Sequence, residues 1–191
     1  MKGEAISFIT RNEGKFEEIR HMLRGSGVTL LKRGLDMDEI QDSDVERVAE
    51  RKAKDAFLVI GGPVLAEDTG LSIKAMNGYP GALVKHFYAS IGPQGIVDFL
   101  KGKDRQATAV TALAYCDPRG VRTFTGSVDG TISRKVSGRS RFDWDVIFVP
   151  DGFEKTYAEM PMAQKNRVSQ RRKALDAFLS WYCEEKGKRI P

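Results

Sequence analysis

The sequence predicts an α/β fold with mixed α+β character, in which helices lie against a mixed sheet. Strand-like and helix-like segments alternate along the chain, a pattern typical of strands joined by helical connections. Two long segments rich in Thr, Val and aromatic residues, 106–116 and 121–133, flank Asp117-Pro118-Arg119-Gly120 and predict an antiparallel hairpin. No repeat, linker or break in composition divides the chain, so one domain over residues 1–191 is expected.

The chain is expected to begin with a short buried strand at residues 5–10. A helix over residues 14–24 follows, because Phe16, Ile19 and Leu23 recur at helical spacing. A second short strand is predicted at residues 28–32.

The strongest helical pattern covers residues 44–60. Six apolar residues form a stripe along it, namely Val45, Val48, Ala49, Ala53, Ala56 and Phe57. Gly61-Gly62-Pro63 ends this helix. Residues 64–67 are predicted as a strand, and Asp68-Thr69-Gly70 is expected to turn the chain where that strand ends.

The second half of the chain contains a rigid turn at Asn77-Gly78-Tyr79-Pro80-Gly81. Helical stretches are expected at 82–90 and 94–101, and the hairpin is followed by a loop at 136–144 and a short strand at 146–149. A final helix over 169–185 directs five residues at the core: Ala174, Leu175, Phe178, Trp181 and Tyr182.

The composition is typical of a globular protein, with 41% hydrophobic and 30% charged residues. No apolar run is long enough to span a bilayer and no secretory signal is recognised, so we expect a cytoplasmic protein without a membrane partner. Cys116 and Cys183 lack metal-binding spacing and predict buried thiols.

The net charge of +5 and the pI of about 9.2 indicate an anionic partner, which could be nucleic acid, a membrane surface or a phosphorylated small molecule. The charge is spread along the chain apart from clusters at 165–173 and 186–189, so charge alone does not choose among these partners.

The first candidate site is the polar turn Thr10-Arg11-Asn12-Glu13-Gly14-Lys15, where a strand leads into a helix. Backbone N–H groups at a helix start attract anions, and Thr10, Asn12 and Lys15 add side-chain donors, so the turn could cradle phosphate. An ordinary helix cap beside a solvated lysine would have the same sequence.

Lys52 lies on the apolar stripe of the helix over 44–60. Because burying an unpaired ammonium is costly, Lys52 either reaches the surface or points at an anion. Glu67 and Asp68 close an apolar strand, where carboxylates suit metal binding, proton transfer or a turn cap. Adjacent strand residues point to opposite faces, so the two have different surroundings.

Two further groups are candidates. Asp38-Glu39-Ile40-Gln41 could complete a Mg²⁺ site, since this ion takes one or two carboxylates together with phosphates and water, although a solvated acidic loop is the commoner role for such a segment. Phe142-Asp143-Trp144-Asp145 and the segment Lys165 to Arg171 could stack on and read a purine, or form a packed aromatic and a basic helix start. His21 and His86 fall in no catalytic pattern.

Together these segments resemble the inosine/xanthosine triphosphate pyrophosphatase family, the Ham1-like proteins, over nearly the whole chain. The resemblance rests on motifs that occur in the same order: Thr10-x-Asn12-x-x-Lys15, Glu67-Asp68-Thr69-Gly70-Leu71, Asn77-Gly78-x-Pro80-Gly81, Phe142-x-Trp144-Asp145, Phe148-x-Pro150-x-Gly152 leading to Thr156-Tyr157-Ala158-Glu159-Met160, and Lys165-Asn166-x-x-Ser169-x-Arg171.

The resemblance implies an elongated mixed-sheet fold with two lobes around a central nucleotide-binding cleft, a homodimer, and Mg²⁺-dependent hydrolysis of ITP, dITP and XTP to the monophosphate and pyrophosphate. It implies that Asp68 orients or deprotonates the water, with Glu67 and Lys52 beside it, and that Glu39 and Asp68 bind the metal. The substrate-binding residues that it implies are Thr10, Asn12, Lys15, Lys52, Thr69, Phe142, Trp144, Asp145, Lys165, Ser169, Gln170 and Arg171.

The chain departs from the family pattern in two places. Gln170 stands where the family commonly has His, and it can donate and accept hydrogen bonds but carries no charge. Asp143 and Val146 stand where Gly and Pro are common, which affects the loop near the base. Three other functions compete with this reading: a nucleotide sensor without turnover, a basic nucleic-acid-binding domain, and a pyrophosphatase for modified pyrimidines.

Overall fold

The computed structural model describes residues 5–139 and 142–185. The predicted α/β fold with a mixed sheet is confirmed. Its strands are β1 (Ala5–Ile9), β2 (Thr29–Arg33), β3 (Val64–Ile73), β4 (Pro80–Gly81), β5 (Gln106–Asp117), β6 (Gly120–Ile132) and β7 (Phe148–Pro150). Its α-helices are α1 (Glu13–Met22), α2 (Val45–Ile60), α3 (Val84–Phe99), α4 (Met162–Val168) and α5 (Gln170–Glu185). Short 3-10 helices cover Lys74–Met76, Asp143–Val146 and Tyr157–Glu159.

The strands form one sheet in the order β2-β1-β3-β5-β6-β7, and β4 adds to β3. β1 runs parallel to both β2 and β3, and the other pairings are antiparallel. β5 and β6 are the predicted hairpin, in which Asp117 pairs with Gly120 across the turn.

The strand β3 positions the acidic pair. β5 pairs with all ten residues of β3, whereas β1 pairs only with its first three and β4 only with Leu71 and Ser72. Within the described residues, the edge of β3 from Glu67 to Gly70 therefore has no strand on its β1 side. The sheet is open at that point, and a cleft can reach the strand.

The predicted turn at Asp68-Thr69-Gly70 is wrong, because β3 continues through these residues to Ile73. The glycine has another cause: a Cβ at Gly70 would lie 2.7 Å from the Gly81 carbonyl carbon and 2.7 Å from Val45 Cγ2. Real Cβ atoms do not come that close, so the position must be glycine for β4 and α2 to pack on the strand.

The helix α2 begins and ends where its sequence predicts. The Asp44 side chain accepts hydrogen bonds from the backbone N–H groups of Glu46 and Arg47, which caps the first turn. Gly61 ends the helix in the left-handed region with φ of 71°. The predicted apolar stripe lies against β3 and β5, with Phe57 only partly buried. None of the described helices is long and apolar enough to cross a membrane.

Other predicted elements differ in detail. The helical stretches at 82–90 and 94–101 form α3 with a break at Gly92, whose φ of 67° and ψ of 175° are not helical. Trp144 and Val146, expected in a loop and a strand, both lie in the 3-10 helix Asp143–Val146. The helix α4 was not separated from α5 in the sequence, and Trp181 on α5 is only partly buried. The basic cluster at 186–189 lies outside the described residues.

Three apolar clusters divide the molecule into two lobes. At the Val64 end of β3, α1 and α5 cover one face of the sheet and α2 covers the other. At the Ile73 end, α3 and the 3-10 helix Asp143–Val146 surround the third cluster. The Glu67-Asp68 pair lies on β3 between the two lobes.

Candidate active site

A cleft of about 320 Å³ opens between the lobes and brings together fourteen of the fifteen residues that the sequence nominates. They are Thr10, Asn12, Lys15, Glu39, Lys52, Glu67, Asp68, Thr69, Phe142, Trp144, Asp145, Lys165, Gln170 and Arg171. Ser169 does not line the cleft. Its hydroxyl accepts a hydrogen bond from the Arg172 N–H at 3.3 Å and so caps the start of α5.

The turn between β1 and α1 is both a helix cap and part of the cleft wall. Asn12 Oδ1 accepts the Lys15 N–H at 3.1 Å, and Thr10 Oγ1 accepts the Asn12 N–H at 3.1 Å. Lys15 is not an exposed, solvated lysine, because its Nζ lies 3.2 Å from Glu67 Oε1. The turn thus holds a cation at the acidic pair.

Lys52 points into the cleft and not toward bulk solvent. Its Nζ forms an ion pair with Glu39 and lies 3.4 Å from the Glu67 carbonyl oxygen. Of the two fates that its position on the apolar stripe allowed, the one with an anionic partner is confirmed. Two lysines on different helices therefore face the same stretch of β3.

Both carboxylate oxygens of Glu67 are engaged in ion pairs or hydrogen bonds. Arg171 donates to both carboxylate oxygens, from Nε at 2.8 Å and from Nη2 at 2.9 Å, and Thr69 Oγ1 donates at 3.1 Å. Burial alone would raise the pKa of Glu67, but the charges of Arg171 and Lys15 outweigh it and lower the pKa to about 2. Glu67 is therefore a permanent anion that anchors two cations and is poorly suited to accept a proton.

Asp68 has the opposite environment. It follows Ala66 by two residues and so lies on the α2 face of the sheet, toward Lys52 and Glu39. Its Oδ2 is buried and has no hydrogen-bond partner among the described residues. Burial raises the pKa of Asp68 to about 6, against the lowering effect of Lys15 and Lys52. A buried, unpartnered carboxylate oxygen of this kind can accept a proton near neutral pH.

Glu39 is the second carboxylate on this side of the cleft. Its charge contributes to the raised pKa of Asp68, so the two groups lie close enough to interact. Burial would raise the pKa of Glu39 itself, but the hydrogen bond and charge of Lys52 lower it. Within the part of the chain that is described, no three His, Cys, Asp or Glu residues form a metal cluster. Two carboxylates without a third ligand suit an ion that completes its shell with phosphate and water, as Mg²⁺ does.

A buried ion-pair network lies behind Glu67. Lys165 Nζ lies 2.6 Å from Asp145 Oδ2 and 3.1 Å from Glu18 Oε1, and Arg171 joins Glu18 to Glu67. Glu18 is 3% exposed and was missed in the sequence. Its position three residues after Lys15 on α1, and therefore on the same side of the helix, was the available signal.

The aromatic residues frame this network. The Phe142 ring centroid lies 4.4 Å from Lys165 Nζ and 4.9 Å from Arg171 Cζ, so the ring lies over both cations. Trp144 is buried and packs edge-on against Phe148. The Gln170 side chain is held by Tyr157, whose hydroxyl donates to Oε1 at 3.2 Å.

The cleft thus has two ion-paired lysines, Lys15 and Lys52, at one end and an aromatic, hydrogen-bonding wall at the other, an arrangement that fits a phosphorylated aromatic compound. Comparison with known proteins identifies the family of this chain. Residues 6–181 match the Ham1 family. The chain is 42% identical over 184 residues to the inosine triphosphate pyrophosphatase of Scheffersomyces stipitis, covering 90% of this chain and 94% of that protein.

It is also 39% identical over 180 residues to the dITP/XTP pyrophosphatase of Thermococcus kodakarensis, covering 94% of this chain and 97% of that protein. The structure of a HAM1 protein from Coxiella burnetii matches with a TM-score of 0.83 at 27% identity, over 95% of this chain and 100% of that one. With a family match that spans most of its length and relatives close to 40% identity, this chain belongs to the Ham1 family.

Proposed function

We propose that this protein hydrolyses non-standard purine nucleoside triphosphates, namely ITP, dITP and XTP, to the monophosphate and pyrophosphate, and so removes them from the nucleotide pool. The observation that carries the proposal is the buried, unpartnered Asp68 carboxylate oxygen, in a cleft that two lysines and a second carboxylate also line. The relatives named as ITP and dITP/XTP pyrophosphatases support the same activity.

The triphosphate lies at the lysine end of the cleft in this proposal. Lys15 and Lys52 provide the positive charge, and Thr10, Asn12 and Thr69 provide polar contacts. Lys15 and Lys52 now pair with Glu67 and Glu39, and a triphosphate offers each of them a more highly charged partner.

Glu39 and Asp68 would hold a Mg²⁺ ion, which when bound neutralises phosphate charge and stabilises the pyrophosphate as it leaves. The donor set supports this choice, because both groups line the cleft and offer hard oxygen ligands.

In the reaction, Asp68 orients a water molecule and takes a proton from it. The water oxygen forms a bond to the α-phosphorus, and the bond from that phosphorus to the oxygen bridging the α- and β-phosphates breaks. Pyrophosphate leaves with the bonding electron pair, and the nucleoside monophosphate remains. Lys15 and Lys52 stabilise the charge that develops, so the catalysis is mainly positioning and electrostatics.

The base lies at the aromatic end of the cleft, against Phe142 and Trp144, with Asp145, Lys165, Gln170 and Arg171 around its edge. An oxo-purine carries an acceptor at position 6 that this donor-rich wall can bind. Adenine carries a 6-amino donor there and leaves wall donors unpaired, which weakens its binding. The family resemblance further supports a homodimer, which sedimentation velocity would measure. In this proposal the protein is cytoplasmic and binds neither a membrane nor, stably, nucleic acid.

A pyrophosphate-release assay with Mg²⁺ across ITP, XTP, GTP, ATP and dUTP tests the proposal. We expect ITP and XTP to be cleaved fastest. Equal rates on all five nucleotides would contradict the selectivity. Tight ITP binding without pyrophosphate would favour a sensor, and salt-dependent binding of oligonucleotides without turnover would favour a nucleic-acid-binding domain.

A further inference from the structure

Tyr157 and Gln170 form a buried pair, and Gln170 also lines the cleft. Tyr157 is 1% exposed and Gln170 is 3% exposed, and the two side chains are joined by the 3.2 Å hydrogen bond between the phenol and Oε1. Tyr157 lies in the 3-10 helix Tyr157–Glu159, and Gln170 is the first residue of α5, so the contact joins two separate elements.

The Tyr157 phenol is the donor in this pair. Burial, followed by the charge of Asp145, raises the pKa of Tyr157, so the phenol keeps its proton. The charge of Arg171 and the Gln170 backbone lower the same pKa but do not outweigh burial. In the hydrogen bond between the two side chains, the protonated phenol donates its single hydrogen to Gln170 Oε1.

Because Oε1 faces Tyr157, the amide nitrogen of Gln170 faces the other way. Gln170 lines the cleft, and no hydrogen bond from its Nε2 is found among the described residues. The neighbouring cations differ, since Arg171 donates to Glu18 and Glu67 while Lys165 donates to Glu18 and Asp145. Gln170 thus carries N–H groups that carboxylates do not occupy.

We propose that Tyr157 is a positioning residue for substrate selection, which fixes the Gln170 amide so that the cleft meets its donor and not its acceptor. The proposal rests on the proposed function and deepens it. A 6-oxo-purine presents an acceptor to this amide, and a 6-amino-purine presents a donor. Without the Tyr157 hydroxyl, the amide can rotate by 180° and accept from a 6-amino group.

The test compares ITP with ATP, whose bases differ in the hydrogen-bonding pattern at positions 1 and 6. Tyr157→Phe keeps the buried ring and removes the hydroxyl. We expect the ratio of kcat/KM for ITP over ATP to fall by about fivefold, the size of one hydrogen bond. Partial unfolding lowers both rates equally and leaves the ratio unchanged, so the ratio separates positioning from stability.

Gln170→Met removes the amide, and the ratio should fall by about tenfold. Tyr79→Phe removes an exposed phenol outside the cleft and should leave the ratio unchanged. An unchanged ratio in Tyr157→Phe overturns the proposal, even if the ratio falls in Gln170→Met. If Tyr157→Phe does not fold, Tyr157→Met, which also lacks the hydroxyl, takes its place: a lower ratio supports the proposal and an unchanged ratio overturns it.

Failure of the proposed function gives a different result, because the wild-type protein would then release no pyrophosphate from any nucleotide. The same comparison is then made on dissociation constants for ITP and ATP, measured by calorimetry. A lower ITP preference in Tyr157→Phe than in wild type would support the positioning role, and an equal preference would overturn it.

Discussion

Glu67 and Asp68 are neighbours on β3, but their side chains lie on opposite faces of the sheet and their pKa values move in opposite directions. Glu67 faces Arg171 and Lys15, and its pKa is lowered to about 2. Asp68 is half-buried on the other face, its buried Oδ2 has no partner among the described residues, and its pKa is raised to about 6. The same two carboxylates therefore supply a fixed anion and a proton acceptor, set by environment alone.

Asp68→Asn should lower kcat for pyrophosphate release from ITP by about 10²- to 10⁴-fold, because an amide cannot accept the proton from water. The fold should persist, since Asn has the same shape. Asp98→Asn is the matched control, because Asp98 is exposed and pairs with Lys101 far from the cleft. Full activity in Asp68→Asn would remove Asp68 from the mechanism.

Asp68→Asn should also be more stable than wild type at high pH, when both are measured in EDTA. A carboxyl whose folded pKa is raised binds its proton more tightly in the folded state, so stability is lost as pH rises from the unfolded value near 4 to the folded value of about 6. Above that range, ionised Asp68 lowers the free energy of unfolding by about 3 kcal/mol at most, and Asn, which does not ionise, avoids this loss.

Urea unfolding at pH 4 and pH 8 measures this effect. We expect the stability advantage of Asp68→Asn to be larger at pH 8 than at pH 4. An advantage of the same size at both pH values would mean that Asp68 does not titrate between them in the folded protein.

Mg²⁺ dependence is tested at Glu39. EDTA should abolish pyrophosphate release, and Mg²⁺ should restore it. Glu39→Gln should raise the Mg²⁺ concentration for half-maximal rate by about tenfold or more, because one of two carboxylate ligands loses its charge. Glu50→Gln also breaks a glutamate–lysine pair, but an exposed one on α2, and should leave the Mg²⁺ requirement unchanged. Full activity in EDTA would contradict the metal site.

The fold was largely predictable because its signals are local. The stripe on α2 with its Asp44 cap, and the β5–β6 hairpin with its Pro118-Arg119 turn, depend on residues near one another in sequence. The end of β3 was missed because Gly70 is also a turn residue in sequence statistics. Its actual cause is the approach of Gly81 and Val45, which lie 11 and 25 residues away in the chain.

The candidate site was predictable for a different reason. Lys52 on an apolar stripe and two carboxylates on an apolar strand both conflict with ordinary burial rules, and such conflicts concentrate at functional sites. The network of Glu18, Asp145 and Lys165 could not be derived in this way. Its members come from three elements, and only the fold shows that each charge has a partner.

That network gives the last prediction, which concerns stability. In the ion pairs around Arg171, three carboxylates (Glu18, Glu67 and Asp145) meet three cations (Lys15, Lys165 and Arg171). Glu18→Gln leaves Arg171 and Lys165 buried with one negative charge fewer, and breaking a buried pair in this way costs about 3 kcal/mol or more.

Glu17→Gln is the matched control, because it changes the preceding residue of the same helix. Glu17 is about half exposed and pairs with the exposed Arg20, so its loss should cost less than about 1 kcal/mol. Urea unfolding of both variants at pH 7 measures the difference. If Glu18→Gln were no less stable than Glu17→Gln, the ion pairs of Glu18 would not stabilise the fold. Arg171 would then be free to leave Glu18 and turn toward a ligand.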